Sequence, residues 1–447
     1  LGGDAAARRQ GAEALKRLRI LMTPAGSAGD VHPFLGLGHV LRGRGHEVVV
    51  LTSEPFRDEV AGAGLEFESV LGAARFEAVL DDPDLWHPVR GPRAIFRLLR
   101  REDLDRVYDA LERRYEPGRT VLVGHPLSFP AGVFEETRGA PAVTVQLAPI
   151  AFRTRHLQPV LPGGIDPNRW PSVVQRTFWW VADRLVVNRL AARDLHPFMK
   201  AKGVTPAAES LYDWVHSPHR VLGFFPEWFG PPQPDWPPQL RLVGFPLYDG
   251  SPNPSLDPGL ERLLGSTPKP VVVTPGSANR QAAELFRAAA LATERRGIPS
   301  LFVTPWSDQL PSPLPEHVTH VQRAPFSALF PRAAAVVHHG GIGTTSQALA
   351  AGVPQVVQGR CFDQPDNGAR LERLGVGRSL AAGDPEAGAL FAALNALLDD
   401  PEVEPAARRW ARAMRTDAGE PAMERAADLV EEASGAGPFS GARPPTR

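Results

Sequence analysis

The segment HHGGIGTTSQALAAGVPQVV, residues 338–357, places two histidines, three glycines and two threonines before a short apolar helix. Glycines let a ligand approach the backbone, and a helix N-terminus presents free N–H groups with a partial positive charge. A neighbouring histidine can donate a further hydrogen bond. The combination favours a diphosphate ligand, although a structural glycine turn without a ligand would show the same pattern. It is not a Walker loop, because no Gly-Lys-Ser/Thr follows.

A second polar pair, Asp363 and Gln364, comes after the next apolar stretch along the chain. A carboxylate and an amide at one sheet edge can together hold several sugar hydroxyls. An ordinary solvated loop is the alternative interpretation of an isolated Asp-Gln pair.

These residues must be positioned by a strand, a turn and a helix. We predict a strand at 333–337, a turn at 338–343, and a helix at 346–351 that Thr344 and Thr345 cap. The next strand is expected at 355–357. In an open parallel sheet, ligands bind beyond the carboxyl ends of the strands, which is where this turn would lie.

Two distant stretches of the chain share one organisation. RILMTPAGSAGDVHPFLGLGHVLRGRGHEVVVLT near the start and KPVVVTPGSANRQAAELFRAAALATERRGIPSLFVT later both predict strand, glycine turn, helix and strand. In the first unit the helix is expected to begin at Pro33. Such units are typical of α/β folds with doubly wound parallel sheets, so we predict two such domains.

The predicted organisation has six segments. A proline-rich stretch before position 257 indicates a connector between the domains, because proline breaks helices and cannot donate to a sheet ladder. In chain order we expect a weakly ordered extension at 1–17, an N-terminal domain at 18–245, a linker at 246–262, a C-terminal domain at 263–415, a final helix at 416–434 and a disordered tail at 435–447.

Composition limits the classes of partner. The 447 residues include 49 Lys plus Arg and 50 Asp plus Glu, so no net charge favours nucleic acid. One cysteine, Cys361, excludes an intrachain disulfide and fits a cytoplasmic protein. No run predicts a transmembrane segment. The stretch around Phe178, Trp179 and Trp180 predicts an amphipathic helix, and weak membrane association stays open.

The donor-side motifs resemble a known family. HHGGIGTTSQALAAGVPQVV followed by DQPDNGARLERLGVG is similar to the donor-binding signature of GT-B glycosyltransferases, the large family with plant, macrolide, glycopeptide and sterol members. GSAGDVHPFLGLGHVLRGRGHEV resembles the first loop and helix of that family. FRDEV, WVHSP, FPEWFGPPQPDWP and GFPLYDGS resemble the bacterial rhamnolipid rhamnosyltransferase group. The resemblance spans residues 19–415.

The resemblance implies two Rossmann-like domains facing across a cleft. It implies an inverting, metal-independent transfer from a UDP- or dTDP-sugar to an acceptor hydroxyl, with no cofactor. The donor would lie mainly on the C-terminal domain and a hydrophobic acceptor on the N-terminal one. The implied donor residues are Ser277, His339, Gly341, Gly343, Thr344 and Thr345 for the diphosphate, Asp363 and Gln364 for the sugar, and Gln322 and Arg323 for the base.

An inverting transfer needs a general base near the acceptor hydroxyl. The resemblance places Asp30 at the position of the family's catalytic residue, whereas His32 has the better unperturbed pKa, about 6.5 against about 3.9. Asp30 could instead cap the helix expected at Pro33. His125, in VLVGHPLSF, and Trp86 are candidates for the acceptor pocket, with a loop histidine and a core aromatic as the alternatives.

Asp82 and Asp84 form an Asp-x-Asp pair of the kind that binds a divalent ion in other glycosyltransferases. The pair lies in a proline loop away from the donor motif, so we interpret it as solvated. Two other functions stay open: a sugar-nucleotide epimerase or hydrolase of the same fold, and a non-catalytic partner protein. The retained set of Asp30, His339, Asp363 and Gln364 argues against a partner protein.

Overall fold

The computed structural model describes residues 17–206, 210–250, 254–266, 268–381, 383, 385–416 and 421–435. It contains two wholly parallel sheets, each flanked by helices, which confirms the predicted pair of Rossmann-like domains. The predicted extension at 1–17 and the predicted tail at 435–447 fall almost entirely outside the described residues. Within the described part of the chain, no helix is long and apolar enough to cross a lipid bilayer.

The N-terminal sheet has the strand order β3-β2-β1-β4-β5-β6-β7. Its central strands are short runs of Val, Leu and Ile that are buried on both faces, as parallel strands covered by helices require. The strands are β1 (Arg19–Thr23), β2 (Glu47–Ser53), β3 (Glu66–Leu71), β4 (Thr120–Gly124), β5 (Ala142–Gln146), β6 (Arg220–Gly223) and β7 (Leu240–Leu242).

The helices of this domain connect the parallel strands and cover the sheet. They span Ala28–Gly43, Arg57–Gly62, Ala73–Leu80, Gly91–Leu98, Arg101–Arg114, Phe129–Arg138, Ser172–Val181, Asn188–Ala191, Leu195–Ala201 and Leu211–Trp214, with a π-helical stretch at Ala182–Val187.

The C-terminal sheet has the order β10-β9-β8-β11-β12-β13. Its strands are β8 (Val271–Thr274), β9 (Ser300–Val303), β10 (Val318–Val321), β11 (Ala335–His338), β12 (Gln355–Val357) and β13 (Gly377–Ser379). The remaining helices span Pro258–Ser266, Ala283–Arg296, Phe326–Leu329, Ile342–Ala351, Gln364–Arg373, Ala387–Leu398, Val403–Thr416 and Ala422–Ala433.

Two predicted helix starts are wrong. The first helix begins at Ala28 and not at Pro33, and Ser27 is its N-cap residue. Pro33 lies in the second turn of this helix, where its nitrogen has no hydrogen to donate to the carbonyl of Gly29. The donor-loop helix begins at Ile342 and not at 346, with Gly341 as its N-cap residue. Thr344 and Thr345 therefore lie inside the helix and do not cap it.

The last helix, Ala422–Ala433, packs on the N-terminal domain. Its Ala426, Ala427 and Val430 are fully buried in the same core as β1. Arg44 fastens it further through ion pairs to Glu424, Asp428 and Glu431. At the other crossing, the helix Pro258–Ser266 already packs in the C-terminal core, so it overlaps the linker expected at 246–262.

In each sheet the strand order reverses between two neighbouring central strands, β1 and β4 in one and β8 and β11 in the other. At such a reversal the loops diverge to opposite faces and leave a crevice. Asp30 lies in the first turn of the helix that follows β1, His125 follows β4, and the loops beyond β8 and β11 carry Ser277 and His339. The fold therefore gathers the predicted site residues at its two natural crevices.

Candidate active site

A cleft of about 1100 Å³ lies between the two domains. Its walls include most of the predicted site residues from both halves of the chain. These are Asp30, His32, Trp86, Ser277, Gln322, Arg323, His339, Gly341, Gly343, Thr344, Asp363 and Gln364. His125 and Thr345 do not line it.

His339 lies against the glycines of two loops. A Cβ atom on Gly276 would stand 2.6 Å from His339 Cε1, and one on Gly341 would overlap its Nε2. The imidazole therefore fits only because both positions lack a side chain. Burial lowers the pKa of His339 to about 4, so its ring is neutral and can donate one N–H. Its Nδ1 is buried without a partner, which leaves a polar group whose partner would be a ligand.

The preceding histidine has a structural role. His338 is fully buried, and its Nδ1 accepts the N–H of Gly340 at 3.1 Å. Because that nitrogen accepts, Nε2 carries the hydrogen and donates it to Gln355 Oε1 at 2.9 Å. Burial lowers the pKa of His338 to about 3, so it stays neutral. It therefore holds the loop, and His339 is the one that faces the cleft.

The helix Ile342–Ala351 begins directly behind this loop. Gly343 and Thr344 line the cleft in its first turn, whereas Thr345 is fully buried. The side chain of Thr345 points inward from this helix, so it does not reach the cleft. The prediction that Thr345 contacts the diphosphate is not supported by this geometry, and we remove it from the donor set.

Asp363 and Gln364 project from the N-terminus of the helix Gln364–Arg373. Asp363 Oδ2 accepts a hydrogen bond of 2.7 Å from Asn367 Nδ2. Burial raises the pKa of Asp363 to about 7; the hydrogen bond from Asn367 opposes this rise, and the negative charge of Asp30 across the cleft contributes to it. Gln364 uses its Oε1 to accept the N–H groups of Arg360 and Cys361, at 2.9 and 3.2 Å, so its amide nitrogen remains for a ligand.

Asp30 is the third residue of its helix. Its Oδ2 accepts hydrogen bonds from the backbone N–H and the hydroxyl of Ser27, at 2.8 and 3.1 Å. A Cβ atom on Gly26 would stand 2.7 Å from Asp30 Cγ, so glycine is needed there. The carboxylate therefore caps the first turn of the helix that begins at Ala28, not of one that begins at Pro33. Its Oδ1 takes no part in these hydrogen bonds.

His125 lies behind Asp30 and does not form an acceptor wall, which corrects the predicted role. Its Nε2 is 3.7 Å from Asp30 Oδ1, and its Nδ1 accepts the N–H of Leu127 at 3.3 Å. Nε2 therefore carries the hydrogen and points it toward the carboxylate. The side chain of His125 is 9% exposed. This burial lowers its pKa, an effect that the charge of Asp30 partly offsets, so the ring is neutral.

His32 points away from Asp30, toward the rim of the cleft. Its Nε2 is 2.8 Å from Glu59 Oε2, and its ring packs edge-on against Tyr248 with a centroid distance of 6.3 Å. Since this nitrogen already has a carboxylate partner, only Nδ1 of His32 could accept a substrate proton.

Gln322 and Arg323 are both exposed at the rim of the C-terminal half. Arg323 reaches across to Glu59 of the other domain, with an Nη1–Oε1 distance of 4.0 Å. Trp306, which the sequence analysis missed, lines the same part of the cleft. The guanidinium of Arg280 lies 4.1 Å over its ring.

Trp86 and Phe362 meet across the two domains, with ring centroids 6.1 Å apart. Phe362 has φ of 55°, the one positive value among the described non-glycine residues. A bulky side chain adopts this conformation only when its surroundings hold it there. Because Asp363 and Gln364 follow directly, the strained residue sets how they enter the cleft. No sequence signal identified it.

Asn367 was also missed, although its spacing gave a signal. It lies four residues after Asp363 on a helix, which places both side chains on one face. Its Nδ2 also donates to the carbonyl of Gly340 at 2.9 Å, so it joins the sugar-binding pair to the glycine loop. Asp82 and Asp84, by contrast, are paired with Arg97 at 2.7 and 3.0 Å. Across the part of the chain that the structure describes, no group of three or more His, Cys, Asp or Glu could hold a metal ion.

Comparisons with known proteins show the family of the chain. Residues 303–431 match the C-terminal domain of erythromycin biosynthesis protein CIII-like proteins, and residues 20–115 match the glycosyltransferase family 28 N-terminal domain. The chain is 32% identical over 438 residues to the O-mycaminosyltylonolide 6-deoxyallosyltransferase of Streptomyces fradiae, covering 93% of this chain and 97% of that one. It is 28% identical to a sterol 3-beta-glucosyltransferase of Arabidopsis thaliana, over 90% of this chain and 64% of that enzyme.

Solved structures show the same fold. The glycotransferase of kitacinnamycin matches with a TM-score of 0.66 at 22% identity, over 94% of this chain and 99% of that one. VinC in complex with dTDP matches with a TM-score of 0.65 at 20% identity, over 93% and 99%. The predicted likeness to the rhamnolipid group stays a prediction. The chain belongs to the GT-B glycosyltransferases, in the family that includes macrolide and sterol glycosyltransferases, and is a glycosyltransferase.

Proposed function

We propose that this enzyme moves a sugar from a pyrimidine nucleotide-sugar to a hydroxyl of a hydrophobic small molecule, with inversion and without a metal ion. The observation that carries the proposal is the meeting of two helix N-termini across one cleft. A Cβ atom on Gly343 would stand 3.8 Å from Gly29 Cα, so the first turn of the helix Ile342–Ala351 and the first turn of the helix that carries Asp30 are in contact range. A leaving group and a base can therefore act on one reacting centre.

The donor half offers a seat for a diphosphate. The N-terminus of the helix Ile342–Ala351, the neutral His339 and the glycine turn at Gly276 converge there. Backbone N–H groups and a helix dipole stabilise the charge that develops as the sugar leaves, which is the task a divalent ion performs in other enzymes. Two solved neighbours carry thymidine diphosphate, VinC and SsfS6, which supports a pyrimidine nucleotide.

The sugar lies between this diphosphate site and the N-terminal domain. Asp363 accepts hydroxyl hydrogens and the free amide nitrogen of Gln364 donates to a hydroxyl oxygen. The exposed pair Gln322 and Arg323 and the ring of Trp306 surround the base. The sugar can be a hexose or a deoxyhexose, as in a UDP-glucose or dTDP-rhamnose type of donor.

The acceptor half of the cleft is apolar. Its walls carry large aliphatic and aromatic side chains on several helices, including Phe56, Val79, Leu80, Leu85, Ile95 and Leu98. Burying a ring system of matching shape there removes apolar surface from water. The names of the relatives, an O-mycaminosyltylonolide 6-deoxyallosyltransferase and a sterol 3-beta-glucosyltransferase, support a hydrophobic hydroxylated acceptor.

Asp30 serves as the base. Its Oδ1 is free of the Ser27 hydrogen bonds and takes the proton as the acceptor hydroxyl attacks the sugar. The neutral ring of His125 lies behind this carboxylate, with its Nε2 3.7 Å from Oδ1. An ordinary carboxylate is a weak base for an alcohol, so the transfer occurs late, when the hydroxyl has become acidic through attack.

The experiment is a donor panel with a mixed set of hydrophobic alcohols, in which products are read by mass shift. UDP- and dTDP-linked hexoses and deoxyhexoses are supplied with EDTA present. We expect one sugar mass to be added to an apolar alcohol, with chelator having no effect. Release of nucleotide without any glycosylated acceptor would indicate a hydrolase or epimerase instead, and a requirement for Mg²⁺ would contradict the metal-free mechanism.

A further inference from the structure

One helix of the N-terminal domain exposes its apolar side chains to solvent. The helix Ser172–Val181 contains no buried residue. Its apolar side chains face solvent and continue into the π-helical stretch, with exposures of 60% for Val173, 48% for Val174, 36% for Phe178, 56% for Trp180, 37% for Val181 and 47% for Leu185. Val174, Phe178, Val181 and Leu185 recur at helical spacing and form one stripe.

Polar contacts fasten the inner side of this helix to the domain. Trp179 Nε1 donates to Gln158 Oε1 at 3.0 Å, and the ring of Trp179 is covered by the guanidinium of Arg153 at 4.7 Å. Gln175 Nε2 donates to the carbonyls of Pro167 and Trp170, both at 3.0 Å. A surface helix normally buries its apolar stripe, so this arrangement keeps that stripe available.

The charged side chains around the stripe leave a net positive charge. Arg176, Arg184 and Arg189 are exposed, and none has a carboxylate within ion-pair distance among the residues that the structure describes. The acids of the same region are already used, since Asp166 pairs with Arg169, Asp183 with Arg153 and Asp194 with Arg193. The surface therefore combines apolar side chains with uncompensated arginines.

We propose that this surface, residues 172–189, docks the enzyme on an anionic lipid bilayer. A single convex helix with an apolar stripe, a tryptophan and flanking arginines matches what inserts into the headgroup region of a bilayer. The unpaired arginines complement anionic lipids and select them over neutral ones.

The surface also adjoins the acceptor half of the cleft. The helix Asn188–Ala191 contacts the helix Gly91–Leu98. Ile95 and Leu98 of that second helix line the cleft. On the proposed function, on which this step alone rests, a hydrophobic acceptor dissolved in the bilayer would enter the cleft beside the docking surface.

The test is co-sedimentation of the whole protein with vesicles, which needs no turnover. Vesicles of phosphatidylcholine alone are compared with vesicles containing 30% phosphatidylglycerol, a share set on the order of that in anionic membranes. We expect binding to the anionic vesicles, at least about tenfold weaker binding to neutral ones, and a loss in high salt.

Two variants locate the surface. Phe178→Ser with Trp180→Ser removes apolar anchors, and Arg176→Glu with Arg184→Glu and Arg189→Glu reverses the charge; each should reduce vesicle binding at least about tenfold. The matched control is Leu291→Ser with Leu314→Ser, two exposed leucines of the other domain, which should bind as the parent does. Unchanged melting temperatures show that the variants fold.

Equal binding to both vesicle types, no binding, or full binding by both variants would overturn the proposal. If light scattering showed instead a dimer that Phe178→Ser with Trp180→Ser dissociates, without vesicle binding, the surface would be a protein interface. A failure of glycosyl transfer with vesicle binding intact would contradict the proposed function and not the docking surface.

Discussion

Asp30 and His32 are two residues apart, yet their surroundings give them different chemistry. Asp30 Oδ1 is free at the meeting point of the two helix N-termini, and His32 Nε2 is held by Glu59. We expect Asp30→Asn to reduce kcat by at least about 100-fold, because the amide cannot take a proton. Nucleotide affinity, measured by calorimetry, should stay unchanged.

His32→Gln is the matched control for that substitution. It should retain kcat within about threefold, since it loses only the contact with Glu59 at the rim. The reverse result, with an active Asp30→Asn and an inactive His32→Gln, would transfer the role of base to the histidine.

The adjacent histidines 338 and 339 should separate stability from activity. His338→Ala leaves Gln355 Oε1 and the N–H of Gly340 buried without partners, and should lower the free energy of unfolding by about 2–3 kcal/mol. His339→Ala should keep the melting temperature close to that of the parent and lower kcat, because its proposed partner is the departing diphosphate. Thermal melts and initial rates on both variants check this, and equal melting losses would contradict it.

The pKa of Asp363, about 7 in the folded protein, makes stability depend on pH. The unfolded carboxyl ionises near 3.9, so between about pH 4 and pH 7 the folded state holds more protons. The contribution of Asp363 is therefore fully present below pH 4 and is lost as pH rises through 7. Asp363→Asn should remove this loss and gain on the order of 4 kcal/mol over the parent at pH 8, relative to pH 4, because a difference of about 3 pKa units is worth about 1.4 kcal/mol per unit. Urea unfolding of both proteins at the two pH values measures it, and parallel pH profiles would contradict it.

At the scale of elements, the glycine loop is shaped by one backbone position. Gly340 has φ of +91°, and a Cβ atom there would stand 2.7 Å from Val357 Cγ1. Gly340→Ala should destabilise the protein by about 2–4 kcal/mol, through strain and the clash. Gly343→Ala is the control, because its nearest neighbour would be 3.8 Å away, and its melting temperature should not fall. Equal losses in the two variants would contradict this account of the loop.

Most of the elements could be predicted from the sequence, and the directions of several side chains could not. The two parallel sheets follow from repeated strand, glycine turn and helix patterns, which are local. The inward direction of Thr345 depends on a helix starting at Ile342, whose N-cap Gly341 has no side chain to mark the start. The approach of His125 to Asp30 depends on β4 lying beside β1, a pairing of residues far apart in the chain.

At the scale of the whole molecule, Arg280 connects the two domains. Its guanidinium pairs with Glu77 and Asp81 on the opposite domain, and it also covers the ring of Trp306. Partly exposed ion pairs contribute about 1 kcal/mol or less. We expect Arg280→Ala to raise the KM for donor by about threefold to tenfold. The substitution removes both the contact that holds the two domains together and the guanidinium that covers the Trp306 ring.

The control for this change is Arg287→Ala, which breaks a pair with Glu284 inside one helix. It should leave KM unaltered, and the melting temperatures of both variants should stay near that of the parent. A normal KM for Arg280→Ala would contradict a role of this contact in closure.

The last helix joins the N-terminal core although it follows the C-terminal domain in the chain. The polypeptide therefore passes between the lobes twice, once before Pro258 and once between Thr416 and Ala422. One crossing segment would leave the relative orientation of the two domains unrestricted. Two crossing segments restrict their relative motion to rotation about a single axis. Each opening would then return Asp30 to the same place opposite His339, so alignment does not have to be found anew in every cycle.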